Sequence, residues 1–130
     1  MPINVDWVDA NKEILLVTYQ GHWTWEEFQN AVYATNVLMN SVDYSVVLIH
    51  DTLQGSALPP GNIIAQGKTA ISSFADNLVL IIVVVNSSLI RTFLNIISGL
   101  NPSGRGQITK TVSTLEEANS LAQKSLANPS

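Results

Sequence analysis

His50 and Asp51 close a run of four apolar residues and could supply acid–base chemistry. Histidine titrates near neutral pH, and a carboxylate could orient it or bind a ligand. Successive residues of a strand point to opposite faces, so these two cannot form a dyad with each other. The ordinary interpretation is therefore favoured, in which Asp51 accepts hydrogen bonds from the amides that follow it and His50 is packed and hydrogen-bonded. Ligand contact by Asp51 is the alternative, and catalysis ranks last.

A second polar group, Asn86, Ser87 and Ser88, follows another apolar run and precedes a helix pattern. The free amides and the positive dipole end of that helix could hold a carboxylate or a phosphate, with Arg91 one turn further assisting. Helix capping already explains the asparagine and the serines, and a solvated arginine explains Arg91 equally well. Anion binding at this group is therefore a hypothesis beside the ordinary explanation of helix capping.

The segment 52–60 supplies Thr52, Gly55 and Ser56, which complete a tentative ligand-binding set. It is not a phosphate-binding loop, because its glycines are too far apart and no Lys-Ser or Lys-Thr pair follows. Ser56 is not in a nucleophile elbow, and no base can be assigned to it. Neither His22 nor His50 has a Glu or a second His spaced beside it as metal ligands would be. We therefore expect no metal, no cofactor and no catalytic residue.

Two apolar runs, residues 46–49 and 78–85, must position these groups. They do not alternate with polar residues, which is typical of strands covered on both faces in an α/β sheet. Open α/β sheets place their sites beyond the carboxyl ends of such strands. The polar residues that follow each run therefore mark the edge where a site would lie.

A helix start is predicted at Thr24, because Thr24-Trp25-Glu26-Glu27 is a capping box. The helix should continue to about Asn40 with one apolar stripe. Trp23 and Trp25 flank its start and could stack on a ligand. Core and staple positions are the favoured interpretation of both.

The remaining patterns give the element order ββαβαβαβα in a single domain over residues 1–130. We expect an α/β fold with a mixed sheet of about five strands and about four helices. Thr114-Leu115-Glu116-Glu117 is a second capping box, which opens the last helix. The predicted strands are 3–8, 13–21, 44–51, 78–85 and an edge strand over 107–112, and the predicted helices are 25–40, 61–74, 87–100 and 115–126.

Composition narrows the class of protein. The chain has a net charge of −4 and six scattered Lys and Arg residues, which argues against a nucleic-acid partner. It has no cysteine, no signal-peptide pattern and no apolar run of the roughly 20 residues that a membrane span needs. We therefore expect a soluble, cytoplasmic protein. Only 12% of its residues are charged against 46% hydrophobic, so some apolar surface is expected to be buried against a partner, most simply a second copy.

The helix predicted over 87–100 is apolar over an arc of about 160°, where a surface helix needs only about 100°. Loops of the same chain could cover the excess. The alternative is that this helix contributes to a homodimer face.

This order of elements resembles the STAS domain (sulfate transporters and anti-sigma-factor antagonists), and more narrowly its small stand-alone bacterial members of unassigned function. The resemblance covers residues 3–126 and rests on the element order, a strand ending in Asp51 and a closing helix opened at Thr114. It implies a regulatory role and, in some members, a phosphorylated serine in an Asp-Ser-Ser-Gly-like segment. That segment reads Asp-Thr-Leu-Gln-Gly-Ser here, with Ser56 as the positional counterpart.

Our first hypothesis is a non-catalytic regulatory or protein-interaction module, homodimeric and without nucleic-acid or membrane partners. The second is a binder of a small amphiphile or anion, with its pocket between residues 52–60 and the helix that begins near Ser87. It draws on the apolar, proline-flanked loop and on the resemblance of some STAS-like proteins to lipid-binding CRAL-TRIO domains.

Overall fold

The computed structural model describes residues 2–55, 65–66, 75–85 and 108–127. These residues form five strands and two long helices. The helices expected over 61–74 and 87–100 lie outside the described residues, apart from Ala65 and Gln66, which are helical. In chain order the elements are β1 (Ile3–Trp7), β2 (Ile14–Gly21), α1 (Trp25–Asn40), β3 (Val46–Gly55), β4 (Leu78–Val84), β5 (Ile108–Val112) and α2 (Leu115–Ala127).

The five strands form one mixed sheet in the order β1-β2-β3-β4-β5. β1 and β2 are antiparallel, as predicted for a hairpin, and β2 to β5 are parallel to one another. β5 lies at an edge of this sheet, as its alternating sequence predicted. The α/β class and the five-stranded mixed sheet are therefore confirmed.

The apolar runs are buried because the sheet is covered on both faces. All four residues from Val46 to Ile49 have no exposed surface. Val46 and Leu48 pack in the core beneath α1, whereas Val47 and Ile49 pack with Ala118 and Ala122 of α2. We call these the α1 face and the α2 face. The prediction that these strands are covered on both sides is confirmed.

Both capping boxes begin helices where the sequence predicted. The Thr24 hydroxyl accepts from the Glu27 amide at 3.1 Å, and the Glu27 carboxylate accepts from the Thr24 amide at 3.0 Å. At α2 the Glu117 amide donates to the Thr114 hydroxyl at 3.1 Å. These bonds satisfy amides that have no partner within the helix, which fixes the first turn of each.

Two asparagines hold α1 against the start of β4. The Asn36 side-chain oxygen accepts from the Ala75 amide at 3.0 Å. The Asn77 amide group donates to the carbonyl of Met39 at 3.0 Å and to that of Tyr44 at 2.9 Å. The Asn77 side chain thus bonds one carbonyl in the last turn of α1 and one in the segment after it, which ties the end of α1 to the sheet.

Candidate functional site

The predicted site residues fall into two groups. His50, Asp51, Thr52 and Gly55 lie in β3, between its fifth residue and its last. The remaining members of the predicted set lie outside the described residues: Ser56, Asn86, Ser87, Ser88 and Arg91. The structure therefore describes one side of the predicted carboxyl-edge site.

The end of β3 corrects the sequence prediction. We expected a strand over 44–51 followed by a loop, but β3 continues to Gly55. Its last residues pair with β2, Gln54 with Gln20 and Gly55 with Gly21. Backbone pairing needs no apolar side chains, so the end of the apolar run is not the end of the strand. Thr52 and Gly55 are consequently strand residues and not loop residues.

A bulge interrupts this pairing just after Asp51. Thr18 of β2 pairs with Asp51, but Gln20 pairs with Gln54, so β3 carries one extra residue between these two pairs. The Asp51 carboxylate accepts from the Leu53 amide at 3.1 Å, inside the bulge. The Thr52 hydroxyl donates to the Val84 carbonyl of β4 at 2.6 Å. The turn-type hydrogen bond expected for Asp51 is confirmed, in a strand bulge instead of a loop.

His50 is half-buried on the α1 face. Its Nδ1 and the Tyr19 hydroxyl share a hydrogen bond of 2.9 Å. Burial lowers the pKa of His50 to about 4 and raises the pKa of Tyr19, because an apolar environment disfavours the charged form of each. Both groups are therefore neutral near pH 7. The prediction of a packed, hydrogen-bonded histidine is confirmed.

His50 and Asp51 do not act on each other. His50 faces Tyr19, which belongs to the α1-face core. Ile49 and Leu53, two residues before and two residues after Asp51, pack on the α2 face, which places Asp51 on that side of the sheet. The sequence argument that this pair cannot form a dyad is confirmed.

An aromatic cluster packs against Tyr19, the partner of His50. The ring centroid of Trp23 lies 5.2 Å from those of Tyr19 and Trp25, and 6.1 Å from that of Phe28. Trp23 precedes the cap residue and Phe28 is the fourth residue of α1, which are the two positions of a hydrophobic staple. Trp23 and Phe28 also pack against the core of the α1 face, so the staple interpretation is confirmed for Trp23.

Gly55 has a steric role that the sequence did not reveal. A Cβ atom at this position would lie 3.0 Å from the Tyr19 Cβ and 3.5 Å from the Trp23 Nε1. The glycine allows β3 to pass close to the aromatic cluster. The close approach depends on the register of β2 against β3, and a single segment of sequence gives no signal for it.

An open groove of about 510 Å³ lies between α2 and the end of β5. Its charged groups are two carboxylates and one ammonium, and its apolar groups come from both elements. The sequence did not predict it, because it forms where a helix face meets a strand end. Its lining residues are Val112, Thr114, Glu116, Glu117, Ser120, Leu121 and Lys124.

We searched the described residues for side chains that could hold a metal ion. No three His, Cys, Asp or Glu side chains within residues 2–55, 65–66, 75–85 and 108–127 lie together as metal ligands would. None of the helices in this part of the chain is long and apolar enough to cross a membrane.

No protein-family model matches the chain, and neither the curated proteins nor the solved structures include a significant match.

Proposed function

We propose that this protein is a non-catalytic regulatory or protein-interaction module that works as a homodimer. One observation carries the proposal. Three polar side chains of β3 are bonded within the fold: His50 to Tyr19, Asp51 to the Leu53 amide and Thr52 to the Val84 carbonyl. Side chains held in this way shape the strand, and their bonds leave them poorly placed to serve a substrate.

The composition supports self-association. With 12% charged residues, the chain has few charges to spread over its surface, and it exposes large hydrophobic side chains at Val8, Tyr33, Val37 and Tyr44. Tyr33 and Val37 lie one turn apart on α1, and contiguous exposed apolar surface marks interaction sites.

Mixing two differently tagged copies tests the homodimer. We expect capture of one tag to recover the other after subunit exchange at micromolar concentration. The Asp51→Asn and His50→Gln variants should also exchange, because the proposal gives these residues a role in the fold and not in assembly. Failure of the unmodified copies to co-purify, together with a monomer mass in light scattering, would contradict the proposal.

We also propose that the domain is STAS-like, and that it works in the bacterial cytoplasm. The sequential strand order, the antiparallel first pair and the closing helix capped by Thr114 support this assignment. A crystal structure should show one helix between β3 and β4 and another between β4 and β5. Strands in place of either helix would contradict it.

The second candidate function is binding of a small amphiphile or anion at the carboxyl edge. The half-buried rings of Trp23, Trp25 and Phe28 at the start of α1 favour it, because such rings could line an apolar pocket. Titration with oleate, and separately with inorganic phosphate, while tryptophan fluorescence is followed tests this candidate. A saturable change that Trp23→Phe weakens would support it, and a flat response to both probes would remove it.

A further inference from the structure

β1 is an end strand of the sheet, and among the described residues it pairs with β2 alone. Two hydrogen bonds at its ends show which of its backbone groups face β2. The Gln20 amide donates to the Pro2 carbonyl at 2.7 Å, and the Val8 amide donates to the Ile14 carbonyl at 2.8 Å. Backbone groups alternate in direction along an antiparallel pair, so the even-numbered residues of β1 bond to β2.

The odd-numbered residues of β1 therefore point their amides and carbonyls away from the sheet. These residues are Ile3, Val5 and Trp7. A row of backbone donors and acceptors at a sheet edge is a template for a further strand. The backbone of this edge thus specifies the conformation of its occupant, which is an extended segment that adds a strand to the sheet.

The apolar side chains of β1 lack the cover that those of β2 have. Val5 and Trp7 are only partly buried against the core of the α1 face. Their cross-strand neighbours in β2, Val17 and Leu15, are 1% and 0% exposed. A strand added outside β1 would cover Val5 and Trp7 as β1 covers the residues of β2. Burial of apolar surface would therefore add to the backbone bonds.

β5, at the other end of the described sheet, is better protected against such pairing. Lys110 is exposed at the middle of β5, and lysine on an edge strand discourages the addition of another strand. β1 contains neither lysine nor proline. Its pairing with β2 is regular, whereas the pairings of β2 with β3 and of β3 with β4 each have a register shift. β1 is therefore the end strand that is open to another chain.

Charge indicates the chemistry of the partner. Asn4 and Asp6 are exposed, and strand alternation places them on the side of β1 opposite Val5 and Trp7. A basic side chain beside the Asp6 carboxylate is attracted to it. A second copy of the chain, with its net charge of −4, is repelled on balance. The complementary segment therefore alternates apolar residues with Lys or Arg.

We propose that the outer edge of β1 is a docking site for an extended basic segment of a partner protein, which adds a strand to the sheet. The apolar residues of the segment cover Val5 and Trp7, and a Lys or Arg between them meets Asp6. This inference rests on the proposed interaction module and names a surface and a kind of partner for it. It leaves the homodimer interface on another surface.

Hydrogen exchange in the presence of a synthetic peptide tests the inference. The probe is Thr-Val-Lys-Val-Thr-Val-Lys, and the comparison peptide has Glu in place of each Lys. In the free chain we expect fast exchange of the Val5 and Trp7 amides and slow exchange of the Asn4 and Asp6 amides, which already bond to β2. The basic peptide should slow the first two amides saturably and leave the second two unchanged. The acidic peptide should bind more weakly.

Two variants separate backbone pairing from charge. Val5→Pro removes an outward amide and no bond to β2, a use of proline that edge strands tolerate. It should raise the dissociation constant of the basic peptide by roughly tenfold, because a backbone bond is lost. Asp6→Lys should reverse the preference between the two peptides. Glu116→Lys on α2 is the matched control, since it changes the net charge equally and should leave the preference unaltered.

Three results would overturn the inference. Slow exchange of the Val5 and Trp7 amides in the free chain would show that this edge is already covered. Unchanged exchange with both peptides would show that no basic segment docks there. A homodimer that Val5→Pro converts to a monomer would place the second copy at this edge. A monomeric unmodified chain that still binds the basic peptide would overturn the proposed homodimer and support this inference.

Discussion

The carboxyl end of β3 and the outer stripe of α1, by which we mean the exposed surface around Tyr33 and Val37, differ in what their side chains face. At the end of β3, His50, Asp51 and Thr52 are of reactive types, but each is bonded to another part of the fold. In the stripe, the large side chains of Tyr33 and Val37 are exposed to solvent. Residue type draws attention to the first region, whereas exposure points to the second. Changes in the first region should therefore alter stability, and changes in the second should alter assembly.

Acid should produce the largest effect in the first region, through His50. Its pKa is about 4 in the folded chain and about 6.5 when unfolded. Between these values the unfolded chain binds more protons, so the free energy of unfolding falls as pH drops from about 6.5 to about 4, by at most about 3 kcal/mol. Urea unfolding at a series of pH values measures this.

The His50→Gln variant is the control for that experiment, because it cannot titrate. It should lose this part of the pH dependence. Identical pH profiles for the variant and the unmodified chain would show that His50 is as easily protonated in the fold as outside it.

Gly55→Ala should cost about 2 kcal/mol, because the added methyl group overpacks the contact with Tyr19. Gly21 is the comparison, since it has a φ of 63° and no atom within 4 Å of a built Cβ. Gly21→Asn should cost less, because asparagine tolerates this left-handed conformation. Thermal or urea unfolding compares the two. Equal stability of Gly55→Ala and the unmodified chain would mean that β3 shifts freely away from the aromatic cluster.

Asp51→Ala should cost about 1 kcal/mol, because the Leu53 amide in the bulge loses its acceptor. Asp51→Asn retains an acceptor oxygen and should recover most of the loss. Hydrogen exchange of the Leu53 amide reports the bond directly. Slow exchange that persists in the alanine variant would show that another group protects this amide.

Tyr33→Ser with Val37→Ser should have the smallest effect on the fold. Both side chains are exposed, so the unfolding free energy of the isolated chain should change by no more than about 0.5 kcal/mol. The measurement is made at concentrations where no dimer forms. A loss of several kcal/mol would mean that the stripe is packed against the chain itself, which would end the contrast between the two regions.

Much of the fold could be predicted from local sequence. The strands β3 and β4 and the starts of both helices were predicted from apolar runs and capping boxes, which are patterns of a few neighbouring residues. The structure has these elements where predicted. The end of β3 could not be predicted, because its last residues are held by pairing with β2. The bond between Tyr19 and His50 depends on the same register, as does the close approach at Gly55. The two bonds of Asn77 to the end of α1 likewise join segments that are far apart in sequence.

The site was predictable in part for the same reason. Opposite orientation of His50 and Asp51 follows from strand alternation alone, and it is confirmed. The hydrogen-bond partner of each side chain lies in a neighbouring strand or in a bulge, and the local sequence predicts neither the strand pairing nor the bulge. The exposure of Tyr33 and Val37 could not be predicted either, because it is known only once the buried side of α1 is known.

Sedimentation equilibrium of three chains tests the central claim most directly. The chains are the unmodified protein, the Asp51→Ala variant and the chain with Tyr33→Glu and Val37→Glu, all at micromolar concentration. We predict twice the chain mass of 14.1 kDa for the first two and the single chain mass for the third. A single chain mass for the unmodified protein, or a dimer lost in Asp51→Ala and kept in the stripe variant, would contradict the account.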